Sequence, residues 1–164
     1  QMKKVLVVMG SDSDLKVMEK CVDRLKSFDI PTEVRICSAH RTPAVAEQLA
    51  KNAAAEGFGV IIAAAGKAAH LGGVLAAYTT LPVIGVPMAT SVMGGMDSLL
   101  SIVQMPKGIP VATVAIDGAD NAAILAAQMI ALSDDALAQK LAQFKADMAA
   151  EVTAKDEKVR AQFA

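Results

Sequence analysis

The chain has 164 residues and a net charge of −1, with 54% hydrophobic and 20% charged residues; this excludes a disordered polymer and leaves no basic footprint for a nucleic acid. Aromatic residues make up only 3%, with no Trp, so platforms for stacking bases are missing as well. At 16.9 kDa one domain is expected, and no apolar run approaches the ~20 residues of a membrane-spanning helix.

Residues 5–9 form an unbroken apolar run ended by Gly10, the mark of a strand buried on both faces of a parallel sheet. Ser11, Asp12, Ser13 and Asp14 supply candidate N-caps, and Leu15, Met18, Val22 and Leu25 then recur at helical spacing. A second strand is predicted over 32–37. Thr42 and Pro43 read as the cap and first residue of a helix reaching Glu56. The all-apolar stretch 60–64 is a third strand, followed by a short helix over 71–78 and a fourth strand over 83–86. Another short helix over 97–103 and a fifth strand over 111–115 follow, and Asp120 is the expected N-cap of an Ala-rich helix reaching Ser133.

From Asp134 onward a long amphipathic helix carries Leu137, Leu141, Phe144, Met148 and Val152 on one stripe. It either folds back on its own domain or packs on a neighbouring subunit; the nine methionines, soft and adaptable, favour a homo-oligomer. Strand and helix alternate five times before that tail, with strands apolar on both faces. This is the grammar of a single α/β domain, a three-layer flavodoxin-like doubly wound parallel sheet over 2–133, with the C-terminal helix over 134–164. A (β/α)8 barrel needs about 250 residues. Cys21 and Cys37 lack CxxC spacing and read as buried, reduced thiols of a cytoplasmic protein. No basic stretch followed by a long apolar one opens the chain, so secretion is not expected.

In such a sheet ligands bind beyond the carboxyl ends of the strands, near the switch point. The segments leaving those ends are 10–14, 38–43, 65–73 and 86–95, and both histidines of the chain, His40 and His70, lie in them. The first, GSDSD, has hydroxyls and backbone N–H groups for a phosphate and an Asp for sugar hydroxyls, although capping alone also explains it. It is neither GxGxxG nor a Walker loop. The second, SAHRTP, sets the planar fork of Arg41 beside the hydroxyls of Ser38 and Thr42, with His40 as a proton-transfer group; a solvated helix entry is the plain alternative. The third, AGKAAHLGG, surrounds His70 with small residues that let a ligand come close, or simply packs it at a helix start. Two histidines without clustered cysteines fall short of a zinc set, and GxSxG is missing.

Taken in order, GSDSD, SAHRTP, AAHLGG and SIVQMPKGIPV resemble the PurE family of purine biosynthesis, class I in particular, over about residues 5–148. The resemblance implies rearrangement of N5-carboxyaminoimidazole ribonucleotide to 4-carboxy-5-aminoimidazole ribonucleotide, with no metal or organic cofactor. Ser11, Ser13, Ser38 and Arg41 would then hold the 5′-phosphate and Asp14 the ribose hydroxyls. His40 would be the general acid and base, and His70 would line the pocket for released carbon dioxide, a pocket expected to be closed and dry. The family implies a homo-octamer with sites shared between subunits, and an ATP-dependent carboxyaminoimidazole ribonucleotide synthase as a functional partner. Direct carboxylation of aminoimidazole ribonucleotide, as in class II, is the nearest alternative; a non-catalytic nucleotide or flavin binder is a more distant one. Two positions depart from the family pattern. Gly72 replaces a Pro and is expected to loosen the third loop, and Lys67, where relatives have Gly or Arg, adds a charge suited to a carboxylate.

Overall fold

The five apolar runs and the segments between them fold, in the computed structural model of residues 1–164, as β1 (Lys4–Met9), α1 (Leu15–Ser27), β2 (Thr32–Ile36), α2 (Pro43–Ala53), β3 (Phe58–Ala65), α3 (Leu71–Ala77), β4 (Val83–Pro87), α4 (Met96–Val103), β5 (Ala112–Thr113), α5 (Ala119–Ala131) and α6 (Asp135–Gln162). All strand pairs are parallel, in the order β2-β1-β3-β4-β5. The order reverses between β1 and β3, which makes that junction the switch point.

Side chains alternate across each strand, so one run feeds two cores. Val5, Val7 and Met9 of β1 join Val60 and Ile62 of β3 against α1, α5 and the start of α6. Leu6 and Val8 join Ile61 and Ala63 against α2, α3 and α4. The buried positions of α2 and most of those of α5 are alanines, which lets these helices lie close to the sheet. At Gly85 the approach is closer still: an added Cβ would come within 2.4 Å of Ile102 Cγ2.

Several expectations need correction at the edges of the sheet. β2 is not buried on both faces; it is an edge strand, with Val34 and Ile36 exposed. β5 closes the other edge with two residues rather than five. Asp120 does not cap α5, whose N-cap is Gly118. Its carboxylate instead accepts from Arg24 Nε at 2.6 Å and Nη2 at 3.1 Å, while the guanidinium lies 4.7 Å from the centre of the Phe144 ring. One arginine thereby ties α1, α5 and α6 together. Gly72 lies in the first turn of α3, not in a loop, and an added Cβ would find only ordinary contacts, 3.7 Å from Ala63 and Val111.

The first part of α6 folds back on its own domain. Asp134 caps it by accepting from Leu137 N at 2.9 Å. Leu137 is in the core, Leu141 and Phe144 pack against it, and Phe144 meets Phe28 edge-on at 5.5 Å. Beyond Phe144 every residue is exposed. A helix of 28 residues is about 42 Å long, and more than half of that length is exposed. No helix is long and apolar enough to cross a membrane.

Candidate functional site

The ends of β1, β2 and β3 lie side by side because the ladder continues one step past each strand. Cys37 N donates to Met9 O at 2.9 Å, and Gly10 N donates to Ala64 O at 3.0 Å. The three loops that leave these ends enclose a cavity of about 330 Å³, lined by Ser11, Ser13, Asp14, Ser38, His40, Arg41 and His70. All seven residues singled out in the sequence therefore share one site. The fourth segment, 86–95, does not line it; Met88 and Thr90 stand behind Gly66 instead.

Each loop is held by its own short bonds. In the first, Asp12–Asp14 is a single 3-10 turn, capped by Ser11 Oγ, which accepts from Ser13 N at 3.3 Å and Ser13 Oγ at 2.9 Å. In the second, Thr42 occupies the N-cap of α2 without capping it. Its hydroxyl closes the loop instead, donating to Ser38 O at 2.9 Å and accepting from Ser38 N at 3.0 Å. Ser38 Oγ then accepts from Arg41 N at 3.1 Å and Arg41 Nε at 3.2 Å, which orients the guanidinium and leaves its two terminal nitrogens for a ligand. No carboxylate of the chain pairs with Arg41.

The two histidines meet across the second and third loops. His40 Nε2 and His70 Nδ1 are 2.9 Å apart, with the rings edge-on at 84°. Such a bond needs one ring nitrogen as donor and the other as acceptor, so each ring fixes the tautomer of the other. The free nitrogens, Nδ1 of His40 and Nε2 of His70, remain for chemistry.

Asp14 is half-buried at the floor of the site. Burial pushes its carboxyl above the ordinary value of 3.8, opposed by the Ser11 backbone N–H and assisted by the charges of Asp117 and Asp12. A raised folded value means that the native state holds this proton more tightly than the unfolded chain does. The stability linked to it is present below the ordinary carboxylate range and is lost as pH rises through the raised value. Asp14→Asn is therefore expected to raise the Tm at pH 7, by no more than a few degrees, since 1 kcal/mol is worth about 2–4 °C at this size. Calorimetry should show the gain shrinking as the pH falls toward 3.8.

The site is open on one side: His40, Arg41, Lys67 and His70 are all exposed. The closed, dry pocket expected from sequence is not formed by one chain alone. No three His, Cys, Asp or Glu side chains converge as a metal site requires. Cys21 and Cys37 are buried and unpaired, and burial pushes the Cys21 thiol up to about 12.

Two residues beyond those seven shape the third loop. Ser101, at the end of α4, accepts from Ala69 N at 2.9 Å and lies 3.2 Å from the Lys67 carbonyl, pinning the third loop. Of the stretch SIVQMPKGIPV only this residue reaches the site; Gly108, Ile109 and Pro110 lie around a separate cavity with residues 79–82. Lys67 lines the cavity with a left-handed backbone, φ 57°, a conformation that costs a non-glycine residue about 1 kcal/mol.

The family model for AIR carboxylase matches residues 4–151. An N5-carboxyaminoimidazole ribonucleotide mutase of Methanocaldococcus jannaschii is 52% identical over 159 residues, covering 97% of this chain and 99% of that protein. A chloroplastic phosphoribosylaminoimidazole carboxylase of Vigna aconitifolia is 51% identical over 140 residues, 85% of this chain but 25% of that protein. The crystal structure of Treponema denticola PurE superposes with a TM-score of 0.86 at 30% identity, covering 94% of this chain and 96% of that one.

Proposed function

The chain belongs to the AIR carboxylase family, and we propose that within it this protein converts N5-carboxyaminoimidazole ribonucleotide to 4-carboxy-5-aminoimidazole ribonucleotide, an isomerisation of purine biosynthesis. The observation that carries the reading is the joining of a phosphate fork, a sugar acceptor and a histidine pair in one cavity at the switch point. Arg41, set by Ser38, takes the 5′-phosphate with Ser11 and Ser13. Asp14 accepts from the ribose hydroxyls.

The proton inventory of the reaction balances on one side chain. His40 protonates the carbamate nitrogen, and the N–C bond breaks to give aminoimidazole ribonucleotide and carbon dioxide. The ring carbon C4 attacks the carbon dioxide held beside His70, and His40 takes the C4 proton back. No net proton is gained, and the two half-reactions share one site. Retention of carbon dioxide between them is proximity catalysis, effective only where water and escape are limited.

We also read the chain as self-associating, up to the octamer that the family resemblance implies. Its surface of 9226 Å² exceeds by about 1,500 Å² the roughly 7,700 Å² usual for a monomer of this mass. Met148, Val152 and Val159 of α6, and Phe163 just after it, are exposed apolar side chains. On this reading residues 2–133 are the catalytic unit, and 134–164 the helix that joins copies and closes the open side of a neighbouring site. Sedimentation velocity returning a monomer at micromolar concentration would sink it. The labile carbamate has to come from an ATP-consuming carboxylation, so an ATP-dependent synthase is the expected upstream partner, and the cytoplasm the expected compartment.

Fresh N5-carboxyaminoimidazole ribonucleotide, followed by the ultraviolet absorbance of the carboxylated product, tests the central reading. Rapid conversion is the expected result. Turnover of aminoimidazole ribonucleotide with carbon dioxide, and none of the carbamate, would make this a direct carboxylase.

A further inference from the structure

Three non-glycine residues of the chain have a left-handed backbone: Asp29, Lys67 and Asp117. Aspartate visits that region readily because its short side chain bonds locally. Both aspartates are also tied by long-range bonds: Asp117 accepts from Ala89 N at 2.9 Å and Asp29 from Lys140 Nζ at 2.6 Å. Lys67 has no such partner. Its ammonium makes no ion pair with any carboxylate, and its carbonyl is pinned by Ser101. A lysine held against its backbone preference, on a cavity wall, is the kind of outlier that signals function.

Its surroundings narrow what that function is. Between Ala65 and His70 the loop is otherwise Gly66, Ala68 and Ala69, so Lys67 is the only polar side chain on that wall before the histidine. The cavity holds two cationic side chains, Arg41 and Lys67, on different loops. A carboxylated ribonucleotide presents two anionic groups, a phosphate and a carboxylate. Arg41, already turned by Ser38 and forked for phosphate, accounts for one. Lys67, a point charge three residues before His70, is left for the other.

We propose that Lys67 is the carboxylate-binding residue of this site, the group that distinguishes carboxylated from decarboxylated ribonucleotide. The inference rests on the reaction proposed above and assigns the specificity within it. Lys67 engages the carboxylate before the N–C bond breaks and again once the C–C bond has formed. It has no charge to hold in the interval, when carbon dioxide is neutral. Binding energy is thus directed at the two carboxylated states.

The test compares affinities of two stable probes, 4-carboxy-5-aminoimidazole ribonucleotide and aminoimidazole ribonucleotide, by titration calorimetry. Lys67→Met, similar in length and uncharged, should weaken the carboxylated probe about tenfold, the size of one charge-assisted hydrogen bond, and leave the other within about twofold. Lys67→Arg should restore most of the difference. Lys67→Gly, which relieves the backbone, should show the same tenfold loss with an unchanged or higher Tm, separating the charge from folding. Equal losses for both probes would mean that Lys67 serves the phosphate, and no loss for either would mean that it faces solvent; each overturns the proposal, as does failure of the unmutated protein to bind the carboxylated probe. Turnover of the unmutated protein is read separately. An inactive protein that still shows the selective loss would refute the isomerisation and leave Lys67 assigned.

Discussion

His40→Asn is expected to bind ribonucleotide nearly as well as the unmutated protein and to convert almost none of it. The loop that carries residue 40 is closed by Ser38 and Thr42, through bonds that do not involve the imidazole, so the substitution leaves the phosphate fork in place. Asparagine cannot move a proton at neutral pH. A positioned acid or base contributes about 10²–10⁴-fold, and here one ring serves both half-reactions, so the upper part of that range applies. Ultraviolet assay of conversion gives the kcat, and calorimetry with aminoimidazole ribonucleotide gives the affinity, expected within about threefold. Retention of near-normal turnover would move the role to His70, whose Nδ1 lies 2.9 Å from His40 Nε2. His70→Asn would then be the inactive variant.

Much of this site was legible in the chain before folding because its parts are local. Each of the first three strands ends in a short loop rich in hydroxyls, charges or small residues, and a doubly wound sheet collects such loops at one edge. What escaped was long-range or conformational. Nothing near Asp120 announces that it will meet Arg24, 96 positions away, so its carboxylate read as a cap. The bond between His40 and His70 spans 30 positions and exists because β1 lies between β2 and β3. The strain at Lys67 has no signature in composition, and the apolar stripe of α6 runs on to Met148 and Val152, past Phe144, beyond which every residue is exposed. Sequence pattern records which faces are apolar; it does not record whose surface covers them.

Arg41→Ala should fail in the opposite way to His40→Asn, with KM raised on the order of 100-fold and kcat changed by only a few-fold. A hydrogen bond to a charged group is worth about 1.5–3 kcal/mol, and the terminal nitrogens of Arg41 make a two-pronged contact with phosphate in this reading, the prongs not being additive. The proton-transfer pair is untouched, and Ser38 Oγ still accepts from the backbone N–H of residue 41, so the loop keeps its shape. Arg41→Lys should recover only part of the loss, because a lysine offers a point charge where the fork supplied a plane. The variant also separates the two cations of the cavity. Loss of Arg41 should weaken carboxylated and decarboxylated ribonucleotides alike, since both carry the phosphate, whereas loss of Lys67 should weaken only the former. A fall in kcat at unchanged KM would contradict the phosphate assignment and place Arg41 beside the reacting carbon instead. The division of labour argued here predicts that phosphate binding, carboxylate binding and proton transfer can each be removed without the other two.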